Sequence, residues 1–189
     1  MMQKKNQFNA DQLSFISDSV LNAEEIVSDY FKMTHSQWRR APYDVRTIAN
    51  LTDDQVIYGP FAQVIRYAAQ RHHTFLGTSA YDFYLICLQD HNIIETLNLH
   101  TELSLSPFML YIMIHELVHI IRFSRFLQRA DTITPSERVL EELRVNQKTY
   151  DILTQKGTYM KGIQPVLEFF KTSCIPEETC FCFREMVSE

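Results

Sequence analysis

The fold of this chain is decided by residues 114–120, which read IHELVHI and place His115 and His119 four positions apart. Side chains at i and i+4 of an α-helix lie on one face, so both imidazoles can reach a single metal ion. Glu116 lies next to the first histidine, where a general base for a metal-activated water is expected. The stretch therefore predicts a helix that binds a metal ion.

The residues around this motif are strongly apolar. Phe108–Ile114 precede or overlap it, and Ile120, Ile121 and Phe123 follow it. Two histidines and a glutamate inside such a run are costly to bury without partners. Backbone carbonyls could satisfy two buried histidines, but a shared metal ion explains their spacing as well and is the preferred interpretation.

A second helix is predicted to follow the first closely. Ser106 and Pro107 indicate that the metal helix begins at about residue 107 and runs to about residue 129. Thr134 and Glu137 form a capping box that starts the next helix, which runs to about residue 155. The short connection favours an antiparallel pair. At about 1.5 Å of rise per residue, positions 141 and 142 return to the level of the histidines.

Helical phase distinguishes the two glutamates at that level. With Val139 at zero and about 100° per residue, Glu142 falls at about 300° and Glu141 at about 200°. The predicted inward stripe comprises Val139, Leu143, Asn146, Tyr150 and Leu153. Glu142 lies at the edge of this stripe and is the favoured third ligand. Glu141, His91 and His100 remain alternatives.

The sequence also predicts roles for other side chains of the helix pair. Asn146 lies one turn beyond Glu142 and could hold a ligating histidine in place. Arg122, Arg125 and Arg129 recur at helical spacing after the motif. They are interpreted as a solvated helix face, with a dock for acidic groups as the alternative.

The rest of the chain predicts further helices and one strand pair. The first predicted helix covers residues 9–34, with Asn9 as its N-cap. A second begins at Gly59-Pro60 and runs through about residue 72, and a third lies near 164–173. The predicted strands are Asp82–Leu88 and 93–103, joined as a hairpin around Asp90–Asn92. His72 and His73 are interpreted as charges at a helix C-terminus.

Composition limits the classes of protein. A chain of 189 residues is most economically one domain. Its 46% hydrophobic and 22% charged residues are ordinary for a globular protein with a sizeable core. The net charge of −5 gives no indication of a nucleic-acid partner.

The N-terminus and the apolar stretch both bear on localisation. Lys4 and Lys5 are not followed by an apolar segment, so a secretory signal is not predicted. The stretch 107–121 is interrupted by the histidines and Glu116 and has no second span to pair with. We therefore expect a cytoplasmic protein with no membrane partner. The oligomeric state is left open.

The four cysteines fall into two groups. Cys87 lies in an apolar run and is expected to be a small core residue. Cys174, Cys180 and Cys182 are close together near the C-terminus, where a spacing of C-x5-C-x-C matches no usual zinc motif. Reduced thiols are the favoured interpretation. A second metal site, or a thiol that ligates the catalytic metal, are the alternatives.

The motif at 115–119, a glutamate on the following helix and an upstream strand pair together resemble the zincin metallopeptidases. The gluzincins, which use a glutamate as third ligand, are the most similar subgroup. The resemblance covers about residues 80–155. Members of that subgroup often carry an acidic residue four positions after the ligand glutamate, whereas Asn146 is an amide. The histidine continuation of the metzincins is absent after His119.

The resemblance implies an α+β fold, namely a mainly helical zincin-like domain with a small antiparallel sheet packed on the motif helix. We expect a single domain over 1–189. It is predicted to comprise an N-terminal helical region 1–76, a metal-site core 80–155, and a C-terminal helix with a cysteine-containing tail 156–189.

The resemblance also implies a zinc-dependent peptidase. His115, His119 and Glu142 would hold the zinc, and Glu116 would act as general base on the water that attacks a peptide or protein substrate. An edge strand from 93–103 would hold the extended peptide. The candidate donors to the oxyanion are Tyr159, His100 and Tyr111.

Two other classes of protein compete with the peptidase. A catalytically inactive zincin-like domain with a regulatory or interaction role fits the small size of the chain. A carboxylate-bridged di-iron protein needs two Glu-x-x-His units on separate helices, and the sequence contains only the unit from Glu116 to His119.

Overall fold

The structure is a computed structural model that describes residues 6–70, 80–125, 134–155, 160–173 and 181–187. Within these ranges, six α-helices accompany a four-stranded sheet, which confirms the predicted α+β class. The helices are α1 (Ala10–Phe31), α2 (His35–Trp38), α3 (Asp90–Leu99), α4 (Leu105–Ser124), α5 (Pro135–Thr154) and α6 (Ile163–Ser173). The strands are β1 (Tyr43–Arg46), β2 (Ala62–Gln70), β3 (Ala80–Leu88) and β4 (Phe181–Val187).

Helix α4, which carries the histidine motif, is the central element of the fold. Every residue from Pro107 to Ile121 is buried, so the helix contacts protein on all sides. A helix that is apolar all round belongs in a core or in a membrane. By length and composition alone α4 could cross a membrane, but 83% of its most apolar window is buried inside the protein. It ends at Ser124, earlier than the predicted residue 129.

The sheet is mixed, with strand order β1-β3-β2-β4. Strands β2 and β3 are antiparallel over their full length, from the pair Ala62–Leu88 to the pair Gln70–Ala80. Strand β1 is parallel to β3, and β4 is parallel to β2. The prediction of an antiparallel sheet is therefore correct for the central strands β2 and β3 and wrong for the two outer strands. The outer strands come from distant segments of the chain, so the local sequence could not show whether they run parallel or antiparallel to their neighbours.

Strand β2 replaces a predicted helix over residues 60–72. Residues 61–65 are buried without interruption, as in a strand that lies between two others and buries both of its faces. A short apolar run of this kind matches the helix and strand patterns equally well. The N-terminal region 1–76 is consequently not wholly helical, because it contributes β1 and β2. His72 and His73 lie outside the described residues.

Helix α3 replaces the predicted strand over 93–103. Ile93 is buried and Ile94 and Leu97 pack against the same core, which is the spacing of a helix face. The apparent alternation at 96–102 was too short to decide the question. The hairpin with β3 is therefore absent from the described residues, and the predicted edge strand at 93–103 is wrong.

Helix α1 and helices α5 and α6 lie close to their predicted positions. The side chain of Asn9 accepts a hydrogen bond from the Gln12 backbone N–H, which confirms the predicted N-cap. Thr134 and Glu137 form the predicted capping box of α5. Helices α1, α5 and α6 each contact α4, and the sheet contacts it through β2. The connection 126–133 lies outside the described residues.

Candidate metal centre

The two histidines of the motif meet on one side of α4. Their Nε2 atoms are 3.0 Å apart, and the ring centroids are 4.8 Å apart. His115 is completely buried, and only 2% of His119 is exposed. The spacing i, i+4 on a regular helix is the reason that both imidazoles reach the same point.

Helix α5 adds a carboxylate to this pair. Glu142 Oε2 lies 3.3 Å from His115 Nε2, and Glu142 Oε1 lies 3.4 Å from His119 Nε2. The three residues are buried, and their ligand atoms all lie within 4.8 Å of one another. They form a group near enough to hold a metal ion, which we call the metal group.

The spacing of these donor atoms fits a metal ion. Ligands about 2.0–2.1 Å from a tetrahedral zinc lie about 3.3–3.4 Å from one another. The two Nε2 atoms are 3.0 Å apart, and each lies 3.3 or 3.4 Å from one of the two carboxylate oxygens of Glu142, so the donor atoms are spaced closely enough for one ion. Three protein donors leave one position of a tetrahedral ion for a water or a substrate.

The protonation states in the metal group suit a cation. Burial alone raises the pKa of Glu142, but the attraction of His119 and hydrogen bonds from both histidines outweigh it, and the pKa falls below its ordinary value. Burial lowers the pKa of His115 to about 4, against the opposing effect of its hydrogen bond to Glu142. An ionised carboxylate and a neutral imidazole are the forms in which glutamate and histidine bind metals, and these are the forms favoured for Glu142 and His115.

Glu116 follows His115 directly in the sequence, and its side chain is completely buried. Neither of its carboxyl oxygens has a hydrogen-bond partner among the described residues. Burial, and after it the negative charge of Glu142, raise the pKa of Glu116 well above its ordinary value. A buried carboxyl group without a partner is costly, so its presence here calls for a ligand or a chemical role.

Asn146 connects the metal group to two aromatic residues. It lies on α5 one turn after Glu142, close enough to His115 for its amide to raise the pKa of that histidine. Tyr111 Oη donates to Asn146 Oδ1 at 3.3 Å, and the Tyr111 ring stacks on Phe170 of α6 with centroids 3.8 Å apart. Asn146 thus occupies the position from which it can orient a ligating histidine.

The alternative histidine ligands lie elsewhere among the described residues. His91 packs its ring against Tyr58, with centroids 4.8 Å apart. His100 follows α3, where its Nδ1 lies 3.1 Å from Glu102 Oε1 and 41% of its side chain is exposed. Neither histidine belongs to the metal group.

The three candidate oxyanion donors have different positions. Tyr111 lies close to the metal group, since its ring centroid is 6.5 Å from that of His115 and its hydroxyl donates to Asn146. Burial, together with the charge of Glu142, raises its pKa, so the hydroxyl stays protonated. His100 is outside the metal group. Tyr159 lies outside the described residues, so its position is not established.

Helix α5 faces α4 with a different side from the predicted one. Leu143 and Tyr150, predicted to point inward, are 45% and 40% exposed, whereas only 4% of Glu141 is exposed. The inward face is rotated by about 100° from the prediction, because α5 buries Glu141 and Glu142 on the same side as Val145 and Ile152. Glu142 contacts the histidines, while both oxygens of Glu141 bind Arg122.

The ion pair of Arg122 and Glu141 was missed because Arg122 was interpreted as belonging to a solvated face. The positions of the two residues in the sequence were the available signal, because Arg122 follows His119 by three residues and Glu141 precedes Glu142. In an antiparallel helix pair these opposite charges lie at the same height along the helix axes. Arg125 is exposed and lies over the Phe31 ring, with its guanidinium carbon 5.5 Å from the centroid. Arg129 is outside the described residues.

The cysteines differ in how far the structure describes them. Cys87 is buried and free, and burial, followed by the charge of Glu116, raises the pKa of its thiol to about 12. It is therefore an inert thiol of the core, as predicted. Cys182 lies in β4, in register with Gln63, while Cys174 and Cys180 are outside the described residues. The predictions for these three thiols stay predictions.

Comparison of the chain with protein-family models, with curated proteins and with solved structures gives no match. The functional conclusion therefore depends on the site alone.

Proposed function

We propose that this protein is a zinc-dependent hydrolase that cleaves amide bonds of peptides or proteins. One observation carries the proposal. His115, His119 and Glu142 come together as one group, and the residue after His115, Glu116, is a completely buried carboxyl group with no hydrogen-bond partner among the described residues. The charge of Glu142 acts on Glu116 and raises its pKa. The three ligands account for binding of a metal, and the fourth residue has the environment of a general base.

Zinc is the metal that this donor set suits best. Two histidines and one glutamate, with a fourth position left open, are a typical set of ligands for a catalytic zinc ion. Structural zinc sites instead use four protein ligands. When bound, zinc would polarise the substrate carbonyl and make a water at the open position more acidic.

Glu116 would move the proton in the reaction. Its raised pKa and its isolation from hydrogen-bond partners favour a carboxyl group that takes up a proton and returns it. It would accept a proton from the attacking water as the oxygen bonds to the carbonyl carbon. It would then deliver this proton to the nitrogen as the C–N bond breaks.

The neighbouring residues would orient the ligands and bound substrate. Asn146 lies next to His115 and interacts with it, and Tyr111 is a protonated donor to Asn146. Among Glu116 and the three ligands, Glu142 has the largest exposed fraction, 8%. We infer that the substrate approaches from the side of Glu142.

The proposal is tested with Glu116→Gln, which is nearly identical in shape but cannot act as a base. Protein purified without chelator is assayed for bound metal and for cleavage of a peptide library. The variant is expected to retain the bound zinc and to lose turnover by a factor of about 10²–10⁴.

The matched control is Glu95→Gln, a substitution on α3, which is expected to retain both zinc and turnover. Peptide cleavage by Glu116→Gln at the rate of the wild type would show that Glu116 is not the general base. Absence of bound metal after incubation with zinc would show that the metal group is not a metal site.

The burial of the metal group and of Glu116 favours a second candidate function, in which the protein binds a metal without catalysis. No residue among the three ligands and Glu116 is more than 8% exposed, which leaves little room for a substrate unless the site opens. A metal-binding domain that serves regulation or interaction would need no such opening. In that case zinc would bind and stabilise the protein, and no peptide in the library would be cleaved.

A further inference from the structure

An ion pair joins α4 and α5 directly beside the metal group. The guanidinium of Arg122 donates from Nε to Glu141 Oε1 and from Nη2 to Glu141 Oε2, the second at 2.9 Å. This two-pronged contact has a fixed geometry, because both the guanidinium and the carboxylate are planar. It therefore restricts both the distance between the helices and the rotation of α5.

The pair is mostly buried. The exposed fractions of the side chains are 18% for Arg122 and 5% for Glu141. Arg144 also approaches Glu141, at 3.6 Å, but 63% of its side chain is exposed. Buried ion pairs contribute little net stability compared with apolar residues of the same volume, and their best-attested use is to specify one arrangement of helices. Stability alone is thus a weak reason for this pair.

The position of the Arg122–Glu141 pair indicates which arrangement of the two helices it specifies. Arg122 lies one turn after His119, and Glu141 immediately precedes Glu142 in the sequence. Neighbouring residues on a helix differ by about 100° in direction and about 1.5 Å in height. When Glu141 is directed to Arg122, Glu142 is directed to the histidines. A slip of one residue would exchange the two carboxylates.

A second contact holds α5 on the other side of Glu142. Tyr111 Oη donates to Asn146 Oδ1 at 3.3 Å, one turn before His115 on α4 and one turn after Glu142 on α5. Helix α5 is therefore held against α4 by one contact before Glu142 and one contact after it. Metal–ligand distances tolerate deviations of only about 0.2 Å, so these two contacts are expected to affect the affinity for the metal.

We propose that Arg122 is a positioning residue of the metal group. It binds Glu141, which keeps this carboxylate from competing for the metal, and it holds α5 in the register that directs Glu142 to His115 and His119. The inference rests on the proposed function, because it presupposes that the group binds a metal.

The test compares metal affinity and cobalt spectra of the full chain. Zn²⁺ affinity is measured by competition with a chromogenic chelator, and the visible absorption of bound Co²⁺ reports the number of ligands. Arg122→Met is expected to weaken Zn²⁺ binding by about 10–100-fold, the usual effect of losing a residue that orients a ligand. Its Co²⁺ bands are expected to change, because Glu141 becomes free to bind the ion.

Two further variants separate positioning from folding. Arg122→Met with Glu141→Leu replaces the pair by apolar side chains, so no unpaired charge is left buried. We expect this double variant to fold and still to bind Zn²⁺ at least about tenfold more weakly than the wild type. Arg144→Gln removes only the exposed contact to the same carboxylate and is expected to leave affinity and spectrum unchanged.

Wild-type affinity and an unchanged Co²⁺ spectrum in the folded double variant would overturn the inference while leaving the proposed metal site intact. Failure of the wild type to bind Zn²⁺ or Co²⁺ would instead refute the metal site, and the positioning role with it. The two failures are therefore distinguishable.

Discussion

At the scale of single residues, the two carboxyl groups of the site are in opposite states. The histidines hold the pKa of Glu142 below its ordinary value in spite of burial, whereas burial and the charge of Glu142 raise the pKa of Glu116. Such a divergence of two neighbouring carboxyl groups is consistent with the different roles proposed for them. Glu142 stays ionised and suits a ligand, while Glu116 can exchange a proton.

Asn146→Ala is expected to weaken zinc binding by about 10–100-fold, because the amide that interacts with His115 is lost. The measurement is competition with a chromogenic chelator. Asn146→Asp keeps an acceptor oxygen and is expected to retain the affinity. Equal affinities for the wild type and Asn146→Ala would show that Asn146 does not orient the ligand.

At the scale of elements, the start of α3 ties together segments that are far apart in the chain. The carboxylate of Asp90 accepts the backbone N–H of Phe8 at 3.2 Å and that of Ile48 at 3.1 Å. Only 1% of Asp90 is exposed. The residues after β3 therefore form a helix whose first turn anchors the N-terminal segment and the short 3₁₀-helix Ile48–Asn50, and do not form the second arm of a hairpin.

Asp90→Ala is expected to lower the free energy of unfolding by about 2–6 kcal/mol, since two buried N–H groups lose their acceptor and each costs about 1–3 kcal/mol. Asp90→Asn retains one acceptor oxygen and is expected to lose about half as much. Urea unfolding followed by the fluorescence of Trp38 measures both effects. A loss below about 0.5 kcal/mol in Asp90→Ala, the usual range for surface substitutions, would contradict the anchoring role.

At the scale of the whole molecule, the metal group lies on the helix around which the fold is built. Helix α4 contacts α1, α5, α6 and strand β2, and the third ligand comes from α5. A metal bound between α4 and α5 would thus join two elements of the core. Its binding free energy adds to the stability of the whole fold, because the unfolded chain offers no preformed site.

Zinc is expected to raise the melting temperature of the metal-free protein. At a free zinc concentration 100 times the dissociation constant, the stabilisation is about 2.7 kcal/mol, which corresponds to about 5–10 °C for a chain of this size. Differential scanning calorimetry with and without zinc measures the shift, and a chelator should reverse it. An equal shift in Glu142→Ala would locate the stabilising zinc at another site, such as the C-terminal cysteines.

The elements that the sequence predicted correctly are those with strong local signals. The apolar run around His115 and Glu116 predicted α4, and Asn9 and the Thr134–Glu137 capping box marked the starts of α1 and α5. These signals depend on neighbours within one or two turns. Strand β2 and helix α3 were assigned to the wrong type because their apolar runs are short and their pairing partners are distant.

The amino-acid sequence by itself determined which residues could form the site. A pair of histidines at i and i+4 converges on any regular helix, and a second helix returning antiparallel brings a glutamate to the same level. Only the tertiary structure decided the rotation of α5, which exposes Leu143 and pairs Glu141 with Arg122. The predicted phase fails there, because the buried side of α5 combines Val145, Ile152 and Leu153 with two glutamates whose polar partners lie on α4.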